Sequence, residues 1–234
     1  MNALDQDNLK RLLSAHASTD MSILDVGCGI GENISLLKRL GYQEVVGTDI
    51  SQEMVTMTRE AGHVAFLPND IPKKNYDVLL FSHVIEHIGY PEIIRFFEHF
   101  LAKAKDSGLV IIVTPILYEA FYNDVDHIKP YYPDGLMMLF SKQKISRQYS
   151  SRFSMSLLDI YYMRVPLAPY NIRIRHSSRL IDKIIYHLLL KVMVLLKIAS
   201  FGLVGRVTGY AAAFRLTPQE DRVKEVVSGG LPPR

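Results

Sequence analysis

The run Ser22-Ile23-Leu24-Asp25-Val26-Gly27-Cys28-Gly29-Ile30-Gly31 constrains this chain more than any other stretch. A short apolar segment carries an acid, three glycines follow at alternate positions, and a helical pattern opens at Asn33. Small residues there let the backbone turn tightly and approach a ligand, with the amides at the start of the helix facing it. The glycines alone fit a plain strand–helix turn as well as several nucleotides. The acid before them narrows the choice, because Asp25 suits a cationic or amine-bearing ligand better than a pyrophosphate.

The pattern around this loop is an alternation. Residues 22–26, 44–48, 64–67, 76–82 and 109–114 read as buried strands, and 33–40, 52–61 and 91–105 as the helices between them. Gly41, Gly62 and Gly108 stand at the helix stops. A further helix is expected over residues 3–16, with Leu4, Leu9, Leu12 and Leu13 on one face. Past Pro115 the rhythm breaks into a loop with Asp124, Asp126 and His127. Then come a short helix near 133–142, a strand near 145–152, an apolar helix over about 178–200 and a strand at 207–216. The expected fold class is α/β: a Rossmann-like, seven-stranded, mostly parallel sheet with helices on both faces, plus an inserted apolar helical region before the last strand.

The organisation that follows is a core over 1–153 with the cofactor site, an inserted cap or membrane-facing segment at 154–206, a closing strand at 207–216 and a flexible tail at 217–234. At 234 residues one sizeable core is available. The lone cysteine, Cys28, excludes an internal disulfide framework and points to a reducing, cytoplasmic compartment. The first residues, Met1 to Asp7, are acidic and lack the pattern of a signal peptide.

Several landmarks fall in register with one family. Leu24-Asp25-Val26-Gly27-Cys28-Gly29-Ile30-Gly31 resembles the first motif of class I S-adenosylmethionine-dependent methyltransferases. Asp49 then ends the second strand, followed by Ile50; Asn69-Asp70-Ile71 follows the third; and Ser82-His83-Val84-Ile85-Glu86-His87 follows the fourth. The resemblance covers about residues 20–115. It implies S-adenosylmethionine as cofactor, S-adenosylhomocysteine as product, and a donor site built from Asp25, Gly27, Gly29, Asp49, Ile50, Asp70, Ile71, Ser82 and His83. Asp49 would accept the ribose hydroxyls, and the Asp70 region would hold the adenine amino group. A nicotinamide enzyme is the rival, but the third glycine of that pattern is missing and Asp25 would repel the pyrophosphate.

Methyl transfer from a sulfonium asks mainly for alignment and exclusion of water. A base is needed only where the acceptor must lose a proton. Candidates for that work are Glu86, His87 and His127. Against them stand plainer readings: Glu86 and His87 pinning a turn, and His127 packed on Tyr131 and Tyr132. Some quinone-precursor relatives hold a divalent metal after the fourth strand, but the first of those positions is His83 here, so no metal is expected. Cys28 is not expected to act as a nucleophile. The Asn/Asp-Pro-Pro-Tyr pattern of base amino-methylating enzymes is absent after Phe81-Ser82, which argues against base amino-methylation.

Charge divides the chain. Residues 1–146 carry 13 basic against 19 acidic side chains, and residues 147–197 carry 9 against 2. In the helix over 178–200, Lys183, His187 and Lys191 recur every fourth residue on an otherwise apolar surface. Charges inside the run argue against a transmembrane span. A buried lid, a homodimer helix and peripheral contact with the inner face of a membrane stay open, whereas a nucleic-acid surface would need a solvated basic groove. The resemblance and this segment together favour O-methylation of a small or lipid-linked acceptor, such as a cell-surface sugar. A quinone-type or other apolar metabolite is the near alternative, and a protein or RNA acceptor a remoter one.

Overall fold

In a computed structural model the described residues are 3–72, 74–141, 151–167, 178–200 and 204–218. The elements are α1 (Ala3–His16), β1 (Ile23–Val26), α2 (Glu32–Arg39), β2 (Val45–Thr48), α3 (Gln52–Glu60), β3 (Val64–Phe66) and β4 (Tyr76–Ser82). They continue with α4 (Glu92–Leu101), β5 (Ala104–Pro115), α5 (Pro133–Leu139), β6 (Phe153–Val165), α6 (Leu180–Ala199) and β7 (Arg206–Pro218). Single turns of 3-10 helix lie at Ile85–His87 and Phe121–Asn123.

The strands form one seven-stranded sheet in the order β3-β2-β1-β4-β5-β7-β6, with β1 to β5 paired in parallel. Helices covering a parallel sheet bury its central strands on both faces, which is why β1 is buried at every position and β4 at all but one. The order reverses beside β1, between its outward neighbour β2 and β4. Ligands of open α/β sheets bind at the carboxyl ends of the strands at such a switch point. There the register sets Val26 opposite both Thr48 and Phe81, so Gly27, Asp49 and Ser82 emerge side by side.

Packing fixes this arrangement. Leu9, Leu12 and Leu13 of α1 are fully buried, each stabilising the fold by roughly 1.5–3 kcal/mol. Phe81 of β4 meets Phe96, Phe97 and Phe100 of α4 edge-on, with centroids 5.4–6.3 Å apart. The aromatics therefore weld the strand that ends at Ser82 to the helix beyond it.

Two expectations shift. The helix expected to reach residue 105 stops at Leu101, and β5 begins at Ala104, which pairs with Tyr76. The strand expected at 145–152 falls largely on 142–150, outside the described residues. The sixth described strand is instead Phe153–Val165. Its tyrosines and arginine look like an interaction stretch in sequence. As a strand, its first half alternates: Met155 and Leu157 turn inward while Ser156 and Leu158 face out.

The chain divides into two compact units, Met1–Tyr161 with Tyr210–Arg234, and Tyr162–Gly209. The second contains α6, none of whose residues is buried. Its half-buried side is Asp182, Tyr186, Leu190, Met193 and Lys197, while Ile181, Ile184, Leu188, Leu195 and Ile198 on the opposite side are exposed. The more apolar side of this helix is the exposed one. Among the described residues, no helix is long and apolar enough to cross a membrane.

Candidate active site

The glycine loop is shaped by close approach. Gly27 sits at φ +73°, and a Cβ there would stand 2.9 Å from the Val84 side chain. Gly29, at φ +52°, donates its N–H to Asp49 Oδ2 at 2.9 Å, while Ser51 N–H donates to Asp49 Oδ1 at 2.9 Å. Thr58 Oγ1 donates to the Gly29 carbonyl at 2.7 Å. Asp49 and Thr58 thus hold the loop open from the neighbouring strand and helix.

Asp25 lies beneath this loop and is fully buried. Asn33 Nδ2 donates to its Oδ1 at 3.3 Å, and its Oδ2 has no partner. Burial, assisted by the nearby Asp49 and opposed by Asn33, pushes the Asp25 carboxyl up to about 7. An orphaned buried carboxylate oxygen fits a ligand that brings its own positive charge, such as the ammonium of S-adenosylmethionine. A cavity of about 400 Å³ is lined by Gly27, Gly29, Asn33, Ser82 and His83 and also by Asp5 from α1.

His83 occupies a left-handed conformation at φ +54°. Its Nε2 lies 2.9 Å from Asp5 Oδ2 and its Nδ1 3.2 Å from Glu86 Oε1. Burial works against its charge, yet the two carboxylates outweigh burial and lift the imidazole to about 9. His83 is therefore cationic at neutral pH, and the Asp5–His83 pair ties α1 to the turn after β4.

A second cavity, about 560 Å³, is lined by Asp49, Ile50, Asn69, Val84, His87, Ile88 and the α4 residues Arg95, Phe96, His99 and Phe100, among others. It is predominantly apolar and suits an adenosine. Ile50 is 90% exposed there. Of the expected Asp70 and Ile71, neither lines this cavity: Asp70 is exposed, Ile71 is buried in the core, and Pro68 and Asn69 take the place. A third, more open cavity of about 840 Å³ shares Asp49 and His87 and adds Met54, Val125, Asp126 and Ile128.

The fold brings Glu86, His87 and His127 together: one ligand-type atom from each lies within 4.8 Å of the others. His87 Nδ1 contacts the Asp126 carbonyl at 3.1 Å, and His127 Nδ1 the Phe121 carbonyl at 2.8 Å. Carbonyls only accept, so in both rings Nδ1 carries a proton, and His127 Nε2 stands 3.6 Å from Asp124 Oδ2. His127 packs on Phe121 and His87, with centroids 4.7 and 5.1 Å apart, rather than on the two tyrosines. Glu86 is fully buried; its Oε2 accepts from Thr114 Oγ1 at 3.0 Å, and its backbone carbonyl accepts from both Ile128 and Lys129. Glu86 thus pins its turn and also faces the histidines.

Cys28 is buried, and burial with the charges of Asp25 and Asp49 pushes its thiol up to about 12, which leaves no thiolate at neutral pH. Asp5, Thr58, Thr114 and Phe121 escape a reading of the sequence. Asp5, Thr58 and Thr114 act through partners 78, 29 and 28 residues away, Phe121 through His127 six residues on, and none sits in a motif.

Loop, switch point and buried acid define a class I S-adenosylmethionine-dependent methyltransferase fold. The sequence profile of the methyltransferase-domain family matches residues 2–169, and the chain belongs to that family. It is an enzyme that uses S-adenosylmethionine and releases S-adenosylhomocysteine. Among solved structures, it is similar to a SAM-dependent methyltransferase from Archaeoglobus fulgidus, at 21% identity and a TM-score of 0.57 over 91% of this chain and 93% of that one. It also resembles magnesium protoporphyrin IX methyltransferase from Synechocystis with bound SAM, at 13% identity and a TM-score of 0.52 over 90% of this chain and 77% of that one. A third similar structure is 1,6-didemethyltoxoflavin-N1-methyltransferase from Burkholderia thailandensis, at 12% identity and a TM-score of 0.54 over 92% and 79%. At these identities the likeness shows the fold. No curated protein matches the sequence.

Proposed function

We propose that the chain methylates a hydroxyl on a small or lipid-linked acceptor, such as a sugar of a cell-surface intermediate, at the inner face of a membrane. The observation that carries this reading is the meeting of Glu86, His87 and His127 beside a cavity that shares Asp49 with the adenosine pocket. When bound, S-adenosylmethionine supplies an electrophilic methyl whose C–S bond breaks with the electron pair remaining on sulfur. Asp25 and the Gly27–Gly29 loop hold its amino-acid end, Asp49 the ribose, and Ile50 one face of the base. The acceptor oxygen forms the new bond and must shed its proton, and the Glu86–His87–His127 cluster draws that proton off.

The rim of the outer cavity supports an acceptor with an apolar portion: Val125 is 91% exposed and Ile128 also faces out. The outward apolar side of α6, with Lys183 and Lys191 beside it, supports seating on anionic lipid. The test is transfer of label from S-[methyl-³H]adenosylmethionine into lipid and glycan extracts. A product whose label is stable as an ether supports the reading; label only in protein or RNA overturns it. His127→Ala should lower turnover at least about a hundredfold, in the range of general acid–base contributions, while leaving donor affinity within about twofold.

A further inference from the structure

We infer that Asn33, in the first turn of α2, is a donor-binding residue whose side-chain oxygen receives the α-ammonium of S-adenosylmethionine together with Asp25. This rests on the reading that Asp25 serves that ammonium. Asn33 is 8% exposed, lines the cavity of about 400 Å³, and hydrogen-bonds Asp25 beneath the glycine loop. It thus joins the cavity to the buried acid.

The chemistry of the two side chains fixes how the amide is turned. An ionised carboxylate accepts and does not donate, so Asn33 presents Nδ2 to Asp25 Oδ1, at 3.3 Å. That leaves Asn33 Oδ1 as a buried acceptor with no hydrogen bond, alongside the equally unbonded Asp25 Oδ2. Buried acceptors in native proteins are nearly always bonded, and two unbonded oxygens on touching side chains call for one explanation. An ammonium carries three N–H donors, enough for both oxygens and one more. A neutral donor would satisfy the hydrogen bonds but not the charge of Asp25.

The local backbone agrees. An asparagine near a helix start commonly bonds nearby main-chain amides. Here the N-cap is Gly31, at φ +84°, with no side-chain cap, and the Asn33 amide reaches instead to an acid eight residues back. The amides that open α2 carry partial positive charge and oppose a cation, so side-chain oxygens are needed there. Glu32, in the same turn, adds an acid to the cavity wall. The motif that reveals Asp25 ends at Gly31, so the sequence marks Asn33 only as the opening of a helical pattern.

Calorimetry with two ligands tests the contact: S-adenosylhomocysteine, and its deamino analogue in which hydrogen replaces the amino group. The parent should bind the first at least about tenfold more tightly, as expected of a charged, hydrogen-bonded group. Asn33→Leu should weaken S-adenosylhomocysteine at least about tenfold and leave the deamino analogue within about twofold. Asn33→Asp, which keeps a second acceptor oxygen and loses the NH₂ donor, should retain S-adenosylhomocysteine within about threefold. Equal losses in both variants would mean that Asn33 only orients Asp25, and would overturn the contact. Weakening of both ligands alike by Asn33→Leu would mean a disturbed loop, and would overturn it too. If the parent discriminates between the ligands and Asn33→Leu discriminates equally, the inference falls alone. If the parent binds both ligands alike, the ammonium reading of Asp25 falls and takes the inference with it.

Discussion

Asp25 shows how a single side chain can favour a ligand at the expense of the empty fold. Its carboxyl is raised to about 7 from an ordinary value of 3.8, chiefly by burial. Between those values the native chain holds a proton that the unfolded chain has lost, so stability of the ligand-free protein falls as pH rises from about 4 to about 7. Asp25→Asn should therefore raise the thermal midpoint at pH 8, by about 2–4 °C for each kcal/mol recovered, and change it little at pH 4. The same variant should bind S-adenosylhomocysteine at least about tenfold more weakly, since a charge-assisted hydrogen bond contributes about 1.5–3 kcal/mol. Weakened binding without the pH-dependent gain would mean that Asp25 is already neutralised in the empty protein. This residue is legible in sequence because strand, acid and glycines are contiguous. His83 is legible only as a position: its charge comes from Glu86 together with Asp5, 78 residues earlier, and no local pattern announces the meeting with Asp5.

At the scale of elements, β1 to β4 can be read from sequence almost to the residue, because a parallel strand buried on both faces is a continuous apolar run bounded by glycine or polar turns. β6 is harder to read. Its outer half is only partly covered, and tyrosines and an arginine dilute the alternation. In α6 the hydrophobic content is plain, but which side packs is not. Only coordinates place Asp182, Tyr186 and Lys197 on the half-buried side and Leu188 and Leu195 on the outer one. Leu188→Glu with Leu195→Glu should abolish flotation with vesicles containing anionic lipid, while the parent protein floats and is released by high salt. If the parent stays in solution as a dimer that the double variant dissociates, α6 is a subunit interface.

Taken whole, the proposed donor site draws on the carboxyl ends of β1, β2 and β4, so its ligand would bridge elements that otherwise touch only along the sheet. Saturation at a hundredfold excess over Kd should stabilise the protein by about 2.7 kcal/mol, or roughly 5–11 °C. NAD⁺, whose pyrophosphate would face Asp25, should produce no shift; an equal shift would return the loop to the dinucleotide class. The proposed acceptor side is built differently. The Glu86 carbonyl accepts two successive amides, Ile128 and Lys129, so the chain after β5 is stitched to the turn after β4 by backbone atoms alone. Mutation cannot delete those donors short of introducing proline. The side chains just before the stitch, Tyr122, Asn123, Asp124 and Val125, are exposed. A lineage could therefore exchange them one at a time and explore new acceptors, while His127 keeps its station beside His87.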